Sequence, residues 1–558
     1  MINYAINTLT GGVHLVDNKT QSTSAKIETC PLPKQLLLPL NMHSGADAKV
    51  VVEIGEAVTK NQIIAEAVGS ISAYVHSPVN GTVADIKLMP VINRSELEEM
   101  VVVIDVNQQD IQQTAIQDSL DCNTSDKEAW TNFSDEQLLQ QIEQAGIVGL
   151  GGAGFPTYQK IVSSSITKNS ISNKINCHTL LLNGAECEPY ISCDDLTMRE
   201  HSSDILEGAL ILARILDLEK IQVAVEDNKP EAINAMTIAI QQLKQNDIAA
   251  KFEVISIPTI YPSGGEKQLI EIITGKQVTT QQFPASLGYI VQNIGTMLAV
   301  YNAVIKKVPL VKRIVTVTGQ AISRPGNYLV TLGTPIRHLL DFAGWNETAT
   351  KTIIHGGPMM GFPLSSADLP IVKSSNCIIA ATVNEFPEPG IERPCIRCGQ
   401  CADVCPASLL PQQLFWYSKA GELNKAEDYN IMDCIECGAC DYVCPSQIPL
   451  VDYYRFTKGE IKTRAAITEK AERSKVRFDF RNERLENIKL EKAQLKAERA
   501  RVAAENRKKK EASSDTGSDT SVKKDLVAEA LARVEAKKKA KAAALLIPEA
   551  KLEGQNDV

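Results

Sequence analysis

With 558 residues the chain is too long for one ordinary core, and 44% hydrophobic content lets most of it fold as several globular domains. A net charge of −9 gives no reason to expect nucleic acid as a partner. No stretch approaches about 18 uninterrupted apolar residues, and MINYAINTLTGGVHL has no basic segment before an apolar run, so neither a transmembrane helix nor a signal peptide is expected.

Residues 1–35 read as an N-terminal arm. Residues 36–106 alternate β-branched residues with turn signals (AKVVVEIGEAV, IIAEAV, YVHSPVNGTVADI) and predict a small β domain of short strands. HSPVNGTVADI resembles half of a lipoyl- or biotinyl-type barrel, but Ser72-Ala73-Tyr74 stand where the modifiable lysine would be, so no swinging-arm role is expected. Residues 107–130, rich in Gln, Asp, Asn and Ser, read as a linker. Over 131–310 helices and strands alternate. Ser134 and Gln137 predict a capping box for a helix carrying Leu138, Leu139 and Ile142 and ended by Gly146. HTLLLN (178–183), IQVAV (221–225) and FEVISI (252–257) predict buried strands; EAINAMTIAIQQL (231–243) and EKQLIEIITG (266–275) predict helices. Residues 311–385 open as strand, Pro-Gly turn, strand and helix, the pattern of a β-grasp domain. From 462 to 558 Ala, Lys, Glu and Arg dominate, broken by SSDTGSDTS, which predicts a helical or disordered charged tail.

Cysteine is the informative count: eight of 14 fall between 395 and 444. CIRCGQCADVCP and CIECGACDYVCP are two copies of C-x₂-C-x₂-C-x₃-C-P, the two-cluster ferredoxin run. Three thiolates at three-residue intervals wrap one cubane, and the fourth of each run crosses to the other. Cys395, Cys398, Cys401 and Cys444 are therefore expected to hold one 4Fe–4S cluster, and Cys434, Cys437, Cys440 and Cys405 the second. Structural zinc prefers two separated pairs of ligands, which these triplets do not supply. Residues 386–461 thus read as a two-cluster ferredoxin-like helical domain that passes single electrons.

GLGGAG (149–154) is a literal G-x-G-x-x-G. A Rossmann fingerprint follows a strand and has an acidic residue about 20 positions on. Here a capped helix precedes the loop, Pro156 follows it, and position 174 is a lysine. What the loop does offer is glycine density (Gly149, Gly151, Gly152, Gly154), which lets backbone amides approach a phosphate or a flat ring, with Lys160 one turn on.

GLGGAGFPTYQK resembles the FMN-binding loop of the flavoprotein subunit of respiratory complex I, G-R-G-G-A-G-F-P-T-G-x-K. That family's N-A-D-E-x-E-P is echoed by Asn183, Glu186, Glu188 and Pro189. Its Y-x-C-G-E-E is echoed by Tyr261, Gly264, Gly265 and Glu266, and its V-N-N-x-x-T by Gln292, Asn293 and Thr296. The chain departs from it at Leu150, where the pattern has arginine, and at Ala185, where it has aspartate. In domain order the whole chain resembles the RnfC (RsxC) family of the Rnf (Rsx) ion-translocating oxidoreductase complexes, the β-grasp part then being SLBB-like. The implied fold is multidomain α/β: lipoyl-like β domain, α/β flavin/nucleotide domain, β-grasp, two-cluster ferredoxin-like domain and charged tail. The resemblance implies non-covalent FMN under Gly151, Gly152 and Gly154. Lys160 would neutralise its phosphate, Phe155 would stack on a nucleotide ring, and Asn183, Asn293 and Thr296 would hydrogen-bond ring or ribityl groups. It places Glu188 and Glu266 toward NADH, with NAD expected over NADP. It further implies a peripheral place on the cytoplasmic face of a bacterial inner membrane. The partners would be integral membrane and ferredoxin-like subunits, with ferredoxin reached indirectly. Two other functions fit parts of the chain: an iron–sulfur relay or docking subunit without nucleotide binding, favoured by Leu150 and Ala185, and a soluble NADH dehydrogenase module. Cys187, Cys193, His43, His76 and His355 are given no role.

Overall fold

The computed structural model describes the chain except residues 1–5, 96, 115–128, 170–176, 244–250, 280–281, 388–389, 513–528 and 537–558. Most of the expected linker and the tail's SSDTGSDTS thus lie outside the described residues; the linker's first part is a helix, Gln108–Thr114. The chain divides into two compact units, Met1–Lys462 and Thr463–Val558.

The β domain is built from two small sheets. One orders strands 35–39, 98–106, 81–90 and 57–58; the other orders 49–50, 63–66 and 75–76. In the long hairpin 81–90/98–106 Val102 and Ile104 face the main core, while Val101 and Val103 on the opposite face are buried with Val91, so Val101 to Ile104 is covered on both sides. A domain this small cannot close a core of its own. Its Leu36, Leu38, Ile64 and Ile104 share one buried cluster with Val315, Val317, Leu339 and Ile378 of the β-grasp region.

The α/β domain carries a four-stranded, all-parallel sheet in the order 252–257, 220–226, 179–184, 289–293. Its strands are near-continuous apolar runs because helices cover both faces. The three predicted strands and two predicted helices are present. The strand Tyr289–Asn293 and the buried helix Ile294–Val304 complete the layer. The predicted capping box is formed: Ser134 Oγ accepts from the Gln137 amide and the Gln137 side chain accepts from the Ser134 amide, opening the helix Asp135–Gln144.

The β-grasp region is a six-stranded mixed sheet, ordered 28–29, 326–331, 312–318, 377–381, 352–355, 362–364. Its edge strand Glu28–Thr29 is lent by the N-terminal arm. The cysteine region is a set of short helices, Gln400–Asp403, Pro411–Lys419, Leu423–Asp428 and Ala439–Tyr442, leading into the long helix Leu450–Glu511. That helix buries Leu450, Val451, Tyr454 and Ile461; residues 462–511 are exposed throughout.

Candidate functional site

The glycine loop lies between the helix Asp135–Gln144 and the helix Thr157–Asn169, with Val148 and Pro156 bridging its neck. Gly149 donates to Phe155 O at 2.7 Å and Gly154 donates to Gly149 O at 3.2 Å, which closes the loop on itself. Leu150 N donates to Thr296 Oγ1 at 3.0 Å. Gly151, Gly152 and Ala153 are exposed, and among the described residues their amides donate to no protein acceptor. Thr157 Oγ1, at the start of the following helix, and Gln292 Nε2 are buried without a hydrogen-bond partner. Free amides on an exposed glycine turn, followed by an orphaned hydroxyl at the start of the next helix, are what a phosphate needs, so the residues present fit FMN.

The loop sits over the C-terminal ends of the parallel strands, where open α/β sheets bind ligands. Asn183 and Asn293 are register partners at those ends. Asn183 donates to Gly264 O at 2.8 Å and accepts from Ala185 N. Asn293 caps the helix Ile294–Val304 through Gly295 N at 2.9 Å and donates to Asp194 at 2.6 Å. Lys160 reaches back to Glu266 (3.0 Å) and Val291 O (2.7 Å). Gly149 to Gly154, Phe155, Lys160, Asn183, Gly264, Gly265, Glu266, Asn293 and Thr296 therefore form one rim.

Three residues expected at that rim sit elsewhere. Glu186 is buried and accepts from Asp194 N (2.9 Å) and Asp195 N (3.3 Å), capping the helix Cys193–Glu200. Burial lifts its carboxyl to about 7, with Lys19 pulling the other way. Glu188 accepts from the amides of Met359 (2.7 Å) and Met360 (2.8 Å), on a turn of the β-grasp region. Tyr261 is buried, and its hydroxyl donates to Cys437 O at 2.5 Å. Leu150 turns its side chain into the domain core, so the loop offers no cation at that position.

None of the eight clustered cysteines is in a disulfide. Cys395, Cys398, Cys401 and Cys444 line one cavity with Phe415, Pro445 and Ile448. In the second group, burial first and then the charges of Cys434 and Cys405 push the Cys437 thiol up to about 12. Bare thiolates so placed need a cationic centre between them, which is the condition an iron cubane meets. The two runs repeat each other in backbone conformation: Arg397 and Glu436, and Gly399 and Gly438, all have positive φ. At equal offsets Arg397 N donates to Cys395 Sγ and Glu436 N to Cys434 Sγ, both at 3.4 Å. Cys398 is exposed, whereas Cys437 and Cys440 are buried against Tyr261, Met359 and Val13 or the helices behind them.

Sequence reasoning missed Arg313, Lys373 and Ser44, which hold the glycine loop from other domains. No local pattern marks them.

Comparison with known families matches residues 7–109 to the RnfC barrel sandwich hybrid domain and 142–302 to the Nuo51 FMN-binding domain. Residues 314–363 match the SLBB domain and 394–448 the 4Fe–4S dicluster domain. The C subunit of the ion-translocating oxidoreductase complex of Serratia proteamaculans (strain 568) is 42% identical over 527 residues, covering 94% of this chain and 69% of that protein. Its counterpart in Pseudomonas aeruginosa PAO1 is 44% identical over 490 residues, covering 86% and 59%. That of Pectobacterium carotovorum subsp. carotovorum (strain PC1) is 42% identical over 530 residues, covering 94% and 65%. The chain thus spans about three-fifths to two-thirds of these relatives' lengths. Among solved structures, a chain of the NAD⁺-reducing [NiFe]-hydrogenase in the H₂-reduced state aligns over 57% of this chain and 61% of its own, at 19% identity and a TM-score of 0.44.

Proposed function

The chain belongs to the family of C subunits of the ion-translocating oxidoreductase complexes, and we propose that it exchanges hydride with NAD(H) at a non-covalent FMN and relays the electrons through two 4Fe–4S clusters. It carries an FMN-binding domain and a 4Fe–4S dicluster domain. When bound, FMN takes up an electron pair as hydride and hands electrons on singly, and each cluster carries one.

The chain's own residues then bind and orient. The amides of Gly151, Gly152 and Ala153 take the phosphate or the ring edge, and Lys160 and the start of the helix Thr157–Asn169 supply positive potential. Asn293 and Thr296 keep the loop seated on the strand ends. With Glu186 and Glu188 bonded inside the protein, Glu266, paired with Lys160 but open to solvent, is the one of the three carboxylates placed to accept ribose hydroxyls and disfavour a 2′-phosphate. No general acid or base is required for hydride transfer between stacked rings. Cys395, Cys398, Cys401 and Cys444 hold one cluster; Cys405, Cys434, Cys437 and Cys440 hold the other.

The observation that carries this reading is the Tyr261–Cys437 hydrogen bond, because Tyr261 lies three residues before the Gly264–Gly265 rim and Cys437 belongs to a cluster loop. Nucleotide site and cluster are in covalent and hydrogen-bonded continuity. The loop of buried Cys437, bonded to Tyr261, would hold the cluster nearer the nucleotide rim, and the loop of exposed Cys398 would hold the one nearer solvent, where a partner could take electrons from it. The receivers are integral membrane and ferredoxin-like subunits of the complex, with ferredoxin reached indirectly. The chain docks peripherally on the cytoplasmic face of the bacterial inner membrane. No described helix is long and apolar enough to cross a membrane, which is in keeping with that placement.

The burial of Leu150 and Glu186, and the bonding of Glu188 to the amides of Met359 and Met360, favour a second reading, an iron–sulfur relay without nucleotide. Anaerobically purified protein separates the two. We expect about eight iron and one FMN per chain, with flavin absorbance bleached by NADH and hardly by NADPH. Full iron with no flavin and no response to NADH gives the relay reading.

A further inference from the structure

The glycine loop is held by groups that belong to neither its own domain nor its own sequence neighbourhood. Arg313, on the first long strand of the β-grasp sheet, is buried; it donates through Nη2 to Leu150 O at 2.6 Å and through Nη1 to Lys373 O at 2.8 Å. Lys373, also buried, donates through Nζ to Gly146 O at 2.8 Å and to Tyr74 O at 2.6 Å. Tyr74 is in the β-domain turn that lacks the modifiable lysine. From the same β domain Ser44 donates through Oγ to Ala153 O at 2.6 Å and through its amide to Gly154 O at 2.9 Å. The loop's entry, middle and exit carbonyls are thus drawn toward the β domain and the β-grasp sheet.

A trans peptide carries its C=O and the next N–H in opposite directions. Anchoring Leu150 O on Arg313 therefore turns the Gly151 N–H the other way, to the exposed side where Gly151, Gly152 and Ala153 have no protein acceptor. A glycine-rich loop would otherwise sample many backbone states, and ordering it on binding would weaken affinity. Gly146 shows how tight the junction is. Its φ is +63°, and a Cβ there would lie 2.2 Å from Tyr74 O.

We infer that the lipoyl-like domain and the β-grasp sheet act together as a clamp that preorganises the flavin loop, with Ser44, Arg313 and Lys373 as its positioning residues. This gives the lysine-less lipoyl-like domain a task in cofactor binding. The inference rests on the reading that FMN binds at this loop.

The test titrates flavin-stripped, iron-replete full-length protein with FMN and follows flavin fluorescence. Ser44→Ala removes one hydroxyl and is expected to raise the FMN Kd about three- to tenfold; Lys373→Met, losing two buried hydrogen bonds, about tenfold or more. Ser44→Thr restores binding, and iron content and thermal midpoint of the Ser44 variants match those of the unsubstituted chain. If Ser44→Ala and Lys373→Met bind FMN as the unsubstituted chain does, the clamp is refuted. If Lys373→Met does not accumulate, Ser44→Ala decides. An iron-replete unsubstituted chain that takes up no FMN overturns the proposed function instead.

Discussion

Glu186 and Glu188 stand two positions apart after one strand, and the protein uses both as acceptors for its own backbone. Glu186 satisfies the first amides of the helix Cys193–Glu200, and Glu188 those of Met359 and Met360. Their motif was legible in the sequence; their burial was not, because for Glu188 it depends on a segment 171 residues away. Gly399 and Gly438 show the same contrast. Both have positive φ, but Gly399 lines the cavity of Cys395, Cys398, Cys401 and Cys444 with no protein atom close by, while a Cβ on Gly438 would lie 3.0 Å from Met359 O. Gly399→Ala is expected to cost about 1 kcal/mol from backbone strain. Gly438→Ala should cost more and speed loss of its cluster, read as a faster decay of the cluster absorbance in air. His355 and His76 are held by burial at about 4 and about 3, below the ordinary 6.5. Between those values and 6.5 the unfolded chain binds more protons than the folded one, so stability falls as pH drops through that window. His355→Gln is expected to make the fall in thermal midpoint between about pH 6.5 and 4.5 shallower by a few degrees; an unchanged slope refutes it.

The elements that were readable carry strong local signals. A capping box set the start of the helix Asp135–Gln144, and three apolar runs set three parallel strands. The strand Tyr289–Asn293 and the helix Ile294–Val304 run together as YIVQNIGTMLAVYNAV; both are largely buried, so no polar alternation marks where one becomes the other. The cysteine runs were legible as spacing, and their crossed partnership becomes visible as Cys444 lines the cavity of Cys395, Cys398 and Cys401. Cys405→Ala is therefore expected to remove the cluster at Cys434, Cys437 and Cys440 and spare the one nearer its own position in sequence. Iron falls by about half, and one of two cluster EPR signals is lost. Loss of the Cys395 cluster instead would show an uncrossed arrangement.

Across Met1–Lys462 the arm before the β domain acts as a stitch. Asn7 N bonds Ile272 O, Gly12 N bonds Val404 O, Val13 pairs with Tyr261, Lys19 reaches Glu186 O, and Glu28–Thr29 joins the β-grasp sheet. It thereby touches the flavin, ferredoxin and β-grasp regions in turn. The unit Thr463–Val558 contributes no buried residue among those described. Ending the chain after Lys462 is accordingly expected to leave iron and flavin content and the thermal midpoint unchanged, whereas deleting residues 1–29 should lower all three. A truncated chain that lost its cofactors would show that the tail is part of the folded core.

Spacing and periodicity by themselves determined the two repeated cysteine runs, the glycine turn and the layered α/β sheet, because each of these is encoded within a few residues of itself. Only the tertiary structure decided which carboxylate stays at the surface, that Tyr261 faces a cluster loop, and that Arg313, Lys373 and Ser44 anchor the glycine loop. Those outcomes are set by which polar groups must find partners once distant segments bury them together, and no short stretch of sequence contains both members of such a pair.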